Sequence, residues 1–125
     1  MPVLQPKLLL VEVDAQLLQA RASLLAQNGY EVSTASTLTN ALRLFRSFPF
    51  DLLLIGPSVE ERERTAMAAI SKRINPKARV LAMVGHDQRQ PVCDGWMTST
   101  KDSDILDAVE ALLAPAENRR SSAAA

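Results

Sequence analysis

Two acids, Glu12 and Asp14, stand two residues apart directly after the apolar run Leu8–Val11. Carboxylates so spaced are candidates for a divalent-cation site. Hard cations want several converging oxygens, however, and two acids supply few. The expectation is therefore that Asp14 caps a helix and Glu12 is a solvated loop acid. His86 is the only histidine and Cys93 the only cysteine. Neither has the companions that a metal site needs, so His86 is expected on a surface loop and Cys93 as an inert thiol. The run Glu60-Glu61-Arg62-Glu63-Arg64 mixes its charges and begins with acids. It is expected as the solvated start of a helix, with the acids facing the positive end of the helix dipole.

These residues need elements to hold them. Leu8–Val11 is a short unbroken apolar run, suited to a strand covered on both faces. Asp14 then caps a helix carrying Leu17, Leu18, Ala22, Leu24 and Leu25, and Asn28-Gly29 stops it. Tyr30, Val32 and Thr34 alternate as a second strand. Ser36 is positioned to cap a helix with Leu38, Ala41, Leu42 and Phe45 on its buried stripe. Phe50 to Ile55 reads as a third buried strand, broken by Gly56-Pro57. Ser58 to Glu61 has capping-box spacing. The helix that follows runs to about Ile74, with Ala66, Ile70 and Ile74 on one side. Val80 to Val84 forms the fourth strand. His86 to Pro91 leaves no room for a full helix, so the fourth helix is expected to be short or missing. Trp96-Met97-Thr98 is a fifth strand. A last helix, capped by Asp102 or Ser103, carries Ile105, Leu106, Val109, Leu112 and Leu113.

Alternation of this kind implies an α/β fold with a doubly wound parallel sheet of five strands and right-handed crossovers. One domain over residues 1–114 is expected, followed by a disordered tail over residues 115–125. A chain of 125 residues can bury roughly two-thirds of its unfolded surface, enough for one core. Function in such sheets sits at the carboxyl ends of the strands. Those ends are Glu12-Val13-Asp14, Gly56-Pro57, Val84-Gly85-His86 and Thr98-Ser99-Thr100.

The strands resemble those of a known family, the CheY-like receiver domains of bacterial response regulators. Lys7 to Asp14 is similar to the family's opening strand. Asn28 to Ser36, with its Gly29-Tyr30-Glu31-Val32, is similar to its second strand. Phe50-Asp51-Leu52-Leu53-Leu54-Ile55 is similar to the strand that leads into the phosphoacceptor. The resemblance covers roughly Lys7 to Leu113 and implies a flavodoxin-like, CheY-like fold.

It also implies a site. In the family two acids after the first strand hold Mg²⁺, and an aspartate after the third takes the phosphoryl group. A Ser or Thr after the fourth strand and a lysine after the fifth complete the set. Metal and lysine neutralise the charge that grows during transfer. On this chain the acid pair falls on Glu12 and Val13, and the acceptor on Gly56. The hydroxyl position falls on Val84. The lysine position falls on Ser99, or on Thr98 when counted back from the last helix. Asp51 begins the third strand, about 16 Å from its tip at strand rise, which is the wrong end. Lys101 lies just past the lysine position.

The implied function is a receiver that cannot be phosphorylated, a pseudo-receiver that binds a protein partner and catalyses nothing. The expected partner is a kinase, a regulator or a second copy of the chain, and no cofactor or metal is expected. Trp96 and Lys101 are candidate interaction residues, with packing over the core as the alternative role for Trp96. The last helix and the stretch Val84–Thr98 are the expected contact region. A weak divalent site at Glu12 and Asp14 stays open as an alternative. So does a small-molecule sensor using space at Gly56 and Gly85. A flavodoxin-like enzyme is disfavoured because no Ser/Thr-rich phosphate loop follows the first strand. Fourteen basic residues balance fourteen acidic ones, which argues against nucleic acid or an anionic membrane as partner. The chain shows no signal peptide or span, and a cytoplasmic, soluble protein is expected.

Overall fold

The computed structural model describes residues 5–84 and 93–114. The expectations for Gly85, for the shortened fourth helix at His86 to Pro91 and for the tail over 115–125 lie outside the described residues.

Five strands form one parallel sheet: β1 Lys7–Val11, β2 Glu31–Ala35, β3 Leu52–Ile55, β4 Arg79–Met83 and β5 Gly95–Met97. Their order is β2-β1-β3-β4-β5, in keeping with the flavodoxin-like fold that the resemblance implies. Val11 pairs with Ala35 on one side and Ile55 on the other, so three strands end level. The chain winds outward one way from β1 to β2 and the other way from β3 to β5. The reversal falls between β1 and β3, and a crevice opens at the carboxyl ends of such neighbours.

Continuous apolar runs are what a doubly covered sheet demands, and the burial shows it. Leu8, Leu10, Leu52 and Leu54 face one side and are fully buried with Leu25, Ile105 and Val109. Leu9, Val11, Leu53 and Ile55 face the other side with Ala41, Phe45, Phe50 and Met67. Helices α1 (Ala15–Gln27) and α4 (Asp102–Leu113) cover the first face, and α2 (Leu38–Ser47) and α3 (Glu61–Ile74) cover the second. Phe45 and Phe50 stack with ring centroids 5.9 Å apart under α2.

Local signals set the helix ends. Asp14 caps α1, its carboxylate accepting the N–H groups of Gln16 at 2.9 Å and Leu17 at 3.1 Å. Gly29, at φ 92°, turns the chain out of α1 through a left-handed conformation that a side chain would disfavour. Three caps differ from expectation. Thr37, not Ser36, caps α2 by accepting the Asn40 N–H. Glu60 precedes α3 without a side-chain cap bond, because Ser58 is turned elsewhere. Lys101 holds the N-cap position of α4, and Asp102 opens the helix itself. The buried stripe of α3 also shifts by about one residue. It carries Arg64, Met67, Ala68 and Ser71, while Ile70 and Ile74 are half-buried.

Candidate functional site

The strand tips carry a buried polar cluster built around Glu12. Side chains alternate along β1, so Glu12 continues the face of Leu8 and Leu10, toward α1 and α4. It is fully buried. This overturns the expectation of a solvated loop acid. A carboxylate out of water needs both hydrogen bonds and a counter-charge, and Glu12 has both. Its Oε1 accepts the Ser58 hydroxyl at 2.6 Å and the Ser58 N–H at 3.3 Å. Its Oε2 forms an ion pair with Arg21 Nη1, from the second turn of α1. Arg21 is 6% exposed. Burial pulls its guanidinium below the ordinary arginine pKa, and the Asp102 carboxylate at the head of α4 pulls the other way.

Ser58 closes the cluster. Its oxygen also accepts the N–H of Val13 at 2.9 Å and of Asp14 at 3.2 Å, while its hydrogen goes to Glu12. One hydroxyl thus ties the turn after β1 to the turn after β3, which explains why it is absent from the head of α3.

Gly56 follows β3 directly, and its N–H donates to Val11 O at 2.8 Å. A Cβ on Gly56 would overlap the Glu12 carboxyl group. The space that glycine leaves is therefore filled by Glu12, against the expectation of open space at Gly56. Two hollows among the described residues lie elsewhere. One, of about 150 Å³, is lined by Lys7, Glu31, Ser33, Phe48 and Phe50. The other lies against Gln5, Pro6, Asp51 and Leu113. Both sit toward the amino ends of the strands.

The remaining positions spread around the tips. Val13 points outward and is 53% exposed. Val84 is buried and donates its N–H to Met97 O at 2.9 Å. Ser99 is engaged at the head of α4, where its hydroxyl donates to Asp104 at 2.5 Å and accepts the Lys101 N–H at 3.2 Å. Thr98 and Lys101 are exposed. Trp96 is 50% exposed, so it does not cover the core. It sits on a three-residue strand at the edge of the sheet. Asp51 lies at the amino end of β3, where its carboxylate accepts the Lys7 N–H at 2.8 Å. Asp14 spends its carboxylate on the helix cap. Among the described residues no group of three or more His, Cys, Asp or Glu could hold a metal ion.

Sequence reasoning missed two buried arginines, one in this cluster and one outside it that was expected on a solvated helix face. Arg21 lies three residues after Leu18 and four before Leu25, on the buried stripe, and that spacing was the signal. Arg64, fully buried on α3, reaches Val59 O at 3.3 Å and Met83 O at 3.4 Å. Burial lowers its pKa, against the pull of Glu61.

No protein-family model matches the chain, and no curated protein matches it in sequence. Solved structures do match. The signal receiver domain of an HD domain-containing protein from Pseudomonas fluorescens superposes with a TM-score of 0.78 at 20% identity, over 98% of this chain and 94% of that one. The response regulator TrrA from Thermotoga maritima, in complex with Mg²⁺-BeF, gives 0.77 at 18% identity, over 86% and 99%. A structure of the histidine kinase ThkA in complex with TrrA gives 0.76 at 19%, over 88% and 100%. Among the described residues no helix is long and apolar enough to cross a membrane. In backbone and topology, then, this chain has the CheY-like receiver fold of two-component response regulators.

Proposed function

We propose that the protein is a receiver-type module that takes up no phosphoryl group and acts by binding another protein of a two-component pathway. One observation carries this reading. The Glu12 carboxyl group, held by Arg21 and Ser58, fills the volume beside Gly56 where an acceptor side chain would project. Position 56 has no nucleophile, and in-line attack by a carboxylate elsewhere needs near-contact geometry that Asp14 and Asp51 lack.

Mg²⁺, bound in the TrrA complex, does not fit these residues. Val13 offers no side-chain oxygen and Gly56 no side chain. Both oxygens of Glu12 are engaged, and Asp14 is turned into its helix. No step through a metal is derived for this chain.

The partner we favour is a histidine kinase, a regulator or a second copy of the chain, in the cytoplasm. A kinase is motivated by the ThkA–TrrA pairing. Contact through the edge beside β5 and α4 would use the exposed Trp96 and Lys101. Aromatic side chains exposed beside polar ones are common interface anchors.

The test is intact-mass measurement after incubation with acetyl phosphate and Mg²⁺. The expected mass is unchanged, and a stable gain of one phosphoryl group would overturn the proposal. A pull-down from the source organism with wild type and Trp96→Ala checks the second half. A kinase or regulator retained by wild type and lost from the variant is the expected result.

A further inference from the structure

We infer that Arg21 is a built-in counter-cation, standing in for the divalent metal that the receiver resemblance assigns to the acids after the first strand. The inference rests on reading the fold as a receiver, but it concerns charge balance inside the pocket and not the fate of a phosphodonor.

A receiver-like tip bearing an acid has a fixed electrostatic requirement. A carboxylate there needs a cation or it needs water. Glu12 has no access to water. Its remaining source of positive charge among the described residues is the Arg21 guanidinium on Oε2. The planar, permanently protonated guanidinium suits this task where a lysine would shift its pKa. Arg21 is itself nearly buried, so neither partner can leave the pair without exposing the other to low dielectric. A metal pair would need a second acid beside Glu12. Val13 stands in that place, facing solvent.

The absence of a side chain at position 56 belongs to the same arrangement. Glu12 can bend into the space beside Gly56 only because no Cβ is there. A short acid pair chelating a metal keeps its carboxylates at the crevice surface. Glu12 instead lies inward, against β3 and α1, with Ser58 holding its other oxygen. The three residues are coupled by charge, by volume and by hydrogen bonding. Glycine at 56, arginine at 21 and serine at 58 together make one carboxylate satisfied without metal.

The experiment is a double-mutant cycle on the full chain, Glu12→Gln, Arg21→Met and the pair, with unfolding followed in chelator and in excess Mg²⁺. Each single variant should lower the folded-to-unfolded ratio by roughly a hundredfold or more. The double variant should lose far less than the product of the two, because it leaves no buried charge alone. Arg21→Lys should recover part of the loss. Wild type should have the same Tm with and without Mg²⁺. Additive losses across the cycle, or a wild-type Tm that rises with Mg²⁺, would overturn the inference. Should Arg21→Met not fold, the double variant decides: recovered folding supports the pairing, and failure of both alike overturns it. A phosphorylated wild type with a strongly coupled cycle would sink the proposed function and leave this inference standing. An additive cycle in an unphosphorylated protein would do the reverse.

Discussion

The two ends of the sheet carry charge in opposite ways. At the carboxyl end, Glu12 and Arg21 are sealed from water and bonded to fixed partners. At the amino end, Asp94 stands before β5 and gathers Lys72 at 3.0 Å and Arg79 at 3.6 Å, both about one-third exposed. Asp94 also accepts the Val80 N–H at 2.8 Å. Both clusters join a strand end to a neighbouring element. Only the sealed one leaves a strongly uncompensated charge when a partner is removed. A partly wetted cluster lets water take over the missing bond.

The difference predicts a graded series of substitutions. Arg21→Met should destabilise by about 3–5 kcal/mol in denaturant unfolding at neutral pH. Comparable stability to wild type would mean that Glu12 finds water or a proton instead. Asp94→Asn should cost about 1–2 kcal/mol, the scale of charge-assisted hydrogen bonds at a partly open site. Its effect should depend on pH. Burial alone would raise the Asp94 pKa, but the Val80 N–H, Lys72 and Arg79 outweigh it and leave the group below its ordinary value. A depressed folded pKa gives stability that is present above the unfolded value, about 3.9, and is lost as pH falls through the folded value. Wild type and Asp94→Asn should therefore converge in acid. Unfolding titrations at descending pH check this, and a constant gap would remove the electrostatic account. Asp14→Ala should cost about 1 kcal/mol, the usual loss for an N-cap. The smallest effect belongs to Trp96→Ala, within about 0.5 kcal/mol, because half its surface is already in water. A larger loss of Tm would put Trp96 back among the core residues.

How legible each part was follows from the kind of force involved. Leu8–Val11 and Leu52–Ile55 announce themselves, because a doubly covered strand needs an unbroken apolar run and few other structures tolerate one. Asp14 was legible as a cap because its bonds are local. Ser58 was not. Its spacing to Glu61 satisfies a capping box, yet its hydroxyl is claimed by groups more than forty positions away. Nothing in a local window weighs that competition. Glu12 was misplaced for a related reason. Acids after a strand are usually wet, and only the pairing of β1 with β3 beside a glycine brings one inward. Trp96 was ambiguous because size favours burial, while a three-residue edge strand has little to bury it against.

One consequence of the Glu12–Arg21–Ser58 knot reaches beyond the crevice. Ordinary switches carry information in which of two forms a molecule adopts. Under the proposed reading, with its acid tied down on both oxygens, this tip has a single setting and the message passes to quantity. Synthesis, degradation and competition for a shared docking partner become the dials, and copy number, not chemistry on the chain, sets the strength of the output.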